Sequence, residues 1–268
     1  LVALKKIKHA KIGLVGGISP GFDNMEVDQS IIKKNIGLTV EESTIKELVK
    51  IAKGFDQKTI DSEVLKIKSV ASSISVSNDD SFNKVTRIYF ALKKMKEDNN
   101  WDSLAVQCWS QMQELYGVAP CMAYSWMGSE DGIAVSCEGD VQGSMSMLLL
   151  NYISNAEKSS TLLDLATFDE EADAVQMWHC GVSPRHFANE DGIKWVDHTT
   201  LGRKTEKKYG VAGDQVFAPQ ETTTTYISNN AERILVLNSS IFEHTNKGFD
   251  GTRGWFRNIH LNRKKISP

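Results

Sequence analysis

Gly132-Ile133-Ala134-Val135-Ser136-Cys137-Glu138-Gly139-Asp140-Val141 decides the fold. Gly132 to Ser136 is a short apolar run suited to a buried strand, and Val141 to Ile153 is a Met/Leu-rich helix. Between them Glu138 closes the strand just before the helix begins, which is where catalytic groups sit in sheets of alternating strands and helices. Working outward, Lys11 to Val15 predicts a strand that enters a glycine-rich turn, and Leu104 to Trp109 predicts another. Helices are expected over Glu41 to Lys53, Asp61 to Ser72 and Ser81 to Glu97; in the second, Val64, Leu65, Ile67, Val70 and Ala71 recur at helical spacing. This alternation implies a mostly parallel α/β sheet over residues 1–155. From Ser160 onward the runs are short and β-rich, among them Thr222 to Ile227 and Ile234 to Leu237, separated by Gly/Asn/Asp turns. Residues 156–268 are therefore expected to form a second, mostly antiparallel domain. No internal repeat or low-complexity linker interrupts the chain.

The chain has 268 residues, 41% of them hydrophobic, and a formal net charge of −3. That length buries one large core or two smaller ones, and that charge gives no basic footprint for nucleic acid. The basic clusters Lys204 to Lys208 and Arg263-Lys264-Lys265 read as solvated loop charges. Cys108, Cys121, Cys137 and Cys180 contain no Cys-x-x-Cys pair, so neither a zinc knuckle nor a thioredoxin-type motif is present, and reduced thiols are the simplest account. Leu1-Val2-Ala3-Leu4 is too short for a signal segment, and no 18-residue apolar run exists for a membrane span. A cytoplasmic protein without membrane or nucleic-acid partners is the expectation.

Two further residues join Glu138. Asp164 falls in the apolar run Thr161 to Ala166, where an acid is costly unless paired or metal-bound, and His179 closes Val175 to Cys180. Two carboxylates and an imidazole near strand ends suit a divalent cation such as Mn²⁺ or Mg²⁺. Each residue also has an ordinary reading: Glu138 as a helix N-terminal acid, Asp164 as an edge-strand acid, His179 as a core histidine. Gly13-x-x-Gly16-Gly17 with Ser19-Pro20-Gly21 lacks the spacing of a phosphate cradle and reads as a turn or a sugar-site loop. His186 and His198 lack a standard zinc spacing with His179 and read as surface histidines, and Glu114 as a solvent-facing helix acid.

The Glu138-x-Asp140 segment with Gly143, the Asp in a short apolar strand and His179-Cys180-Gly181 resemble the L-fucose isomerase and L-arabinose isomerase superfamily. Cys137-Glu138-Gly139-Asp140 is similar to the Ala-Glu-Gly-Asp segment of arabinose isomerases. Lys11 to Gly17 and Phe249-Asp250-Gly251-Thr252-Arg253-Gly254-Trp255 resemble the fucose-isomerase-like branch. The resemblance implies a Rossmann-like parallel domain followed by a β-rich one, with the site between them. It implies Glu138, Asp164 and His179 as ligands of Mn²⁺, Mg²⁺ or Co²⁺. Glu138 and Asp164 would move protons through a cis-enediol on a small-molecule sugar, with a neutral His179 as ligand or orienting partner. Trp126 and Trp178 would either stack on the sugar or belong to the core. A homo-oligomer, hexamer or trimer, is expected. Measured against that family, the chain reads as lacking the first domain and the C-terminal end. His260 does not resemble the last ligand and reads as surface or strand, so the metal site would be incomplete and turnover low. A non-catalytic sugar-binding or regulatory domain retaining the fold is the alternative.

Overall fold

A computed structural model describes residues 2–155, 159–203 and 206–267. The N-terminal part contains α1 (Val2–Ile7), β1 (Lys11–Val15), α2 (Gln29–Ile36), β2 (Thr39–Ser43), α3 (Ile45–Ala52), α4 (Gln57–Ser69), β3 (Ser73–Ser75) and α5 (Asp80–Asn99). It continues through β4 (Ser103–Val106), α6 (Gln111–Leu115), α7 (Cys121–Trp126), β5 (Val135–Ser136) and α8 (Val141–Ser154). The C-terminal part is β6 (Asp164–Asp169), β7 (Ala174–His179), β8 (Lys194–Val196), β9 (Ala212–Val216), β10 (Gln220–Ser228), β11 (Arg233–Phe242), β12 (Thr252–Leu261) and β13 (Lys264–Lys265).

Strands β2-β1-β4-β5 form a four-stranded, wholly parallel sheet. Ile12, Val15, Leu104, Ala105 and Val106 are buried in it, the apolar filling that a sheet covered by helices requires. The remaining strands form a nine-stranded sheet that is mostly antiparallel, with parallel pairs only at β9–β12 and β3–β8. The α/β architecture expected from the alternating pattern is the one observed. The expected boundary at 155/156 borders residues 156–158, which lie outside the described residues, as does Lys204 of the first basic cluster.

The expected helix over Glu41 to Lys53 is instead a strand followed by a helix. β2 runs to Ser43 in register with β1, and Thr44 caps α3 by accepting the Glu47 amide at 3.1 Å. Acidic residues at 41 and 42 mimic a helix start, but cross-strand pairing with β1 outweighs that local preference. The strands expected over 104–109 and 132–136 are shortened to Ser103–Val106 and Val135–Ser136. In the latter case residues 127–131 form a π-helical turn that ends at Gly132 in the left-handed region.

The largest core cluster draws on both halves of the chain, from Val15 and Phe82 to Trp195 and Ala212. Trp195 on β8 is 1% exposed and donates its indole N–H to the Ile67 carbonyl of α4 at 2.9 Å. Trp195→Ala is expected to cost about 3–5 kcal/mol, the range for emptying a buried aromatic site. A correspondingly lower urea midpoint at unchanged m-value would report it. Among the described residues no helix is long and apolar enough to cross a membrane.

Candidate active site

Glu138 follows β5 directly and has φ +58°, a left-handed conformation uncommon for a residue with a side chain. Gly139 continues the turn at φ +77°. The turn is held from two sides: the Glu138 carbonyl accepts the Ser19 amide at 2.8 Å, and the Gly139 amide donates to the Val106 carbonyl at 3.1 Å. Gln107, just past β4, pins the loop after β1 by donating through Nε2 to the Gly16 and Ile18 carbonyls, each at 3.0 Å. The glycine-rich stretch after β1 is thus a turn packed beneath Glu138, one of the two readings its sequence allows. The Glu138 carboxylate is 8% exposed at the carboxyl-terminal mouth of the parallel sheet, where open α/β folds place ligands.

His179 ends β7 in the other sheet and brings Nε2 to 3.5 Å from Glu138 Oε2. Its Nδ1 faces the Val182 amide at 3.4 Å and Cys180 Sγ at 3.7 Å. Cys108 Sγ lies 3.6 Å from Glu138 Oε1. Burial disfavours the charged imidazole, but Cys180 and Glu138 outweigh it and hold the His179 pKa well above the ordinary value. Burial also pushes Glu138 up, but His179 and the thiol hydrogen bonds outweigh it and leave that carboxylate below its usual range. Cys180 is itself pushed up to about 11, by its hydrogen bond with Cys121 and by burial, so at neutral pH it is a thiol and Glu138 is the anion. Nδ1 accepts the Val182 amide, so the ring proton lies on Nε2, the nitrogen that faces the Glu138 carboxylate at 3.5 Å.

Asp164 opens β6 opposite Trp178 and is exposed, on a strand that pairs with β7 at the margin of the sheet. Partial burial raises its pKa, with His179 lowering and Glu138 raising it, so it lies within electrostatic reach of both. Its oxygens do not belong to the tightest donor groups. Those are Cys108, Cys137 and Glu138, and Glu138, His179 and Cys180, whose ligand atoms lie within 4.8 Å of one another. Trp126 is buried in the core and donates to Glu63 at 2.8 Å. Trp178 is half-buried, with its indole N–H fixed on the Asp250 carbonyl at 2.8 Å.

His198 is not a surface histidine: it is buried, and its Nδ1 accepts the Thr200 and Leu201 amides at 3.2 and 3.1 Å. His260 lies on β12 and Glu114 is exposed on α6, as their sequence settings suggest. The thiols around Glu138 had no long-range signal in the sequence. The adjacency of Cys137 to Glu138 and of Cys180 to His179 was the available hint.

Asp140 caps α8 by accepting the Gly143 amide at 2.8 Å, and its carboxyl is 1% exposed. Burial pushes its pKa up to about 6 from 3.8, the Gly143 amide opposing and Glu138 adding to the rise. The folded state therefore holds this proton more tightly than the unfolded chain. Its stabilising share is present below about pH 4 and is lost as pH rises through about 6, a swing of about 3 kcal/mol. Asp140→Asn keeps a good cap without the charge. Its stability relative to the parent is expected to improve by that order between pH 4 and pH 7, as measured by urea unfolding at both.

No family model matches the chain. A protein named sulfoquinovose isomerase from Priestia aryabhattai is 29% identical over 251 residues, covering 93% of this chain and 54% of the relative. The protein of that name from Priestia megaterium (strain ATCC 12872 / QMB1551) matches to the same extent. One from Alkalicoccus urumqiensis is 26% identical over 187 residues, 70% of this chain and 42% of the relative. The chain spans about half the length of the curated relatives it matches.

Proposed function

We propose that this chain carries the proton-transfer site of an aldose–ketose sugar isomerase acting on sulfoquinovose or a closely similar aldose. The observation that carries the reading is the buried Glu138–His179 pair at the mouth of the parallel sheet, 3.5 Å apart and contributed by two different sheets. It is supported by the relatives' shared name and by the resemblance to the fucose and arabinose isomerase superfamily.

Aldose–ketose exchange moves a proton between C1 and C2 and a second between their oxygens, with no net redox change. A carboxylate serves because it can take the carbon proton as base and return it to the neighbouring carbon as acid. Glu138 is an anion placed to take the carbon proton and deliver one to the neighbouring carbon through a cis-enediol. His179, holding a proton on the face toward Glu138, suits the oxygen side of the exchange. Asp164, with its pKa raised, is the second group able to exchange protons from the open side.

The donor set fits a divalent cation. Octahedral ions of the Mg²⁺/Mn²⁺ class place neighbouring ligand atoms about 3 Å apart, and Glu138 Oε2 and His179 Nε2 stand at 3.5 Å, with Asp164 outside the tightest donor groups. Glu138, Asp164 and His179, the last after releasing its Nε2 proton, would hold it; bound there, it would supply Lewis-acid polarisation of the sugar carbonyl. The Cys137 thiol, held neutral by burial, and the Cys180 thiol, held neutral by its hydrogen bond with Cys121 and by burial, are poor competitors for a hard ion. Mn²⁺ at about a hundred times its Kd is expected to stabilise the protein by about 2.7 kcal/mol. A thermal-shift titration should show a rise of several degrees that Glu138→Gln abolishes.

The reading itself is tested by incubating the protein with sulfoquinovose, L-fucose and L-arabinose in D₂O with Mn²⁺. Ketose formation with deuterium entering at C1 or C2 is expected. Absence of both ketose and label with every sugar would overturn it.

A further inference from the structure

Beside Asp164 opens a cavity of about 580 Å³ whose wall includes Trp178, Thr199, Thr200, Arg203 and Phe249. That volume is in the range of small-molecule sites. Asp164 belongs both to this cavity and to the electrostatic neighbourhood of Glu138 and His179. Asp164, and Trp178 next to His179 on the same strand, tie this cavity to the candidate proton-transfer site. One wall is apolar: Trp178 and Phe249 meet edge to face with ring centroids 6.2 Å apart. An indole fixed by its N–H, as Trp178 is, presents a flat surface to the C–H face of a sugar.

The polar wall is cationic. Arg203 is exposed and donates through Nε to the Thr199 carbonyl at 2.6 Å, which anchors the side chain to the loop after β8. Among the described residues no carboxylate forms a salt bridge with it, although Asp164 and Asp250 line the same cavity. Among the described residues its two terminal amino groups have no acceptor, which leaves four donors. A second polar group lacks a partner beside it: Thr199 Oγ1 is buried and unbonded among the described residues. The Thr200 hydroxyl, by contrast, is engaged with His198 Nδ1 at 3.2 Å. A buried hydroxyl without a partner is uncommon and costs stability until something bonds to it. A planar guanidinium and a hydroxyl donor on one loop match a tetrahedral oxyanion, which guanidinium binds in fork geometry.

We infer that Arg203 and Thr199 form an oxyanion subsite that reads a sulfonate or phosphate on the sugar carbon remote from the carbonyl. The inference rests on the isomerase reading above. It gives the cavity two ends, with the reacting carbons beside Asp164 and Glu138 and the anionic substituent at Arg203, while Trp178 bears on the ring between. Specificity arises because a neutral sugar leaves the guanidinium and the Thr199 hydroxyl without acceptors, the arrangement that discriminates most strongly.

The test compares the parent with Arg203→Met, Arg203→Lys and Thr199→Val on sulfoquinovose, glucose 6-phosphate and glucose. Both kcat/KM and calorimetric Kd are measured. The parent is expected to prefer one of the anionic sugars to glucose by about 100-fold or more, and the preferred one identifies sulfonate or phosphate as the group read. In Arg203→Met that ratio should fall about 30-fold or more, with the loss in KM and Kd rather than kcat. Arg203→Lys should recover part of it, and Thr199→Val should lose a smaller share. A parent that handles glucose as well as either anionic sugar, or an Arg203→Met variant that keeps the full ratio, overturns the inference. If no sugar is turned over, the isomerase reading fails while calorimetry still decides the subsite. Sulfoquinovose or glucose 6-phosphate binding that is lost in Arg203→Met supports it, and equal or absent binding in parent and variant overturns it.

Discussion

Glu138→Gln is expected to lower kcat for aldose–ketose conversion by about 10²–10⁴-fold, the usual worth of a positioned general acid–base group. The exchange keeps side-chain volume and the left-handed backbone at φ +58°, so any strain there is unchanged and the fold should persist. What disappears is the anion. Without it, burial lowers the pKa of the His179 ring and the contact with Cys180 is what still opposes that, so the imidazole pKa should fall from its value in the parent. An NMR titration of the His179 ring in parent and variant separates this electrostatic effect from a general loss of structure. Retained turnover in a variant whose histidine pKa has dropped would remove Glu138 from the chemistry and leave it a structural ion-pair partner.

Gly139→Ala should damage the protein more broadly. A Cβ there would stand 2.2 Å from the Gly17 carbonyl oxygen and 2.9 Å from its carbon, and φ is +77°. The left-handed conformation alone costs an alanine about 1–2 kcal/mol. The clash falls on backbone, which has no rotamer to change, so the loop after β1 must move and draw the Ser19–Glu138 contact apart. A loss of about 3–5 kcal/mol is expected, read as a thermal midpoint lower by about 6–20 °C. Calorimetry checks it, and an unchanged midpoint would show that the turn is looser than its geometry implies.

Some of this was legible in the chain and some was not, for physical reasons. β1 and α8 read correctly because Lys11 to Val15 is one apolar run and Val141 to Ser154 is buried over most of its length, leaving little ambiguity of period. β2 was hidden because Glu41 and Glu42 carry a local helix signal, whereas the strand exists through pairing with Lys11 to Val15. Glu138 and His179 stood out as polar residues at the ends of apolar strands, and the fold brings them to 3.5 Å. Trp126 and Trp178 were indistinguishable by type, since only packing decides that one enters the core and the other borders a cavity. Arg203 gave no signal. It sits in a loop of ordinary composition, and its meaning comes from an unpartnered Thr199 hydroxyl that no sequence pattern encodes.

The pairing of β3 with β8 also bears on how the protein is made. Ser72 donates to the Ile193 carbonyl, 121 residues further along, and Ser73 to Ser75 lie in register with Lys194 to Val196. A ribosome adding about 5–20 residues per second leaves that early strand without its neighbour for about 6–24 s. Throughout that wait the Ile67 carbonyl has no Trp195 to bond, and the core of the nascent α/β half stays open where Trp195 and Ala212 later close it. The first half of the polypeptide is therefore held short of its final packing until the second half has been synthesised, and it is in this interval that a chaperone would find exposed apolar surface.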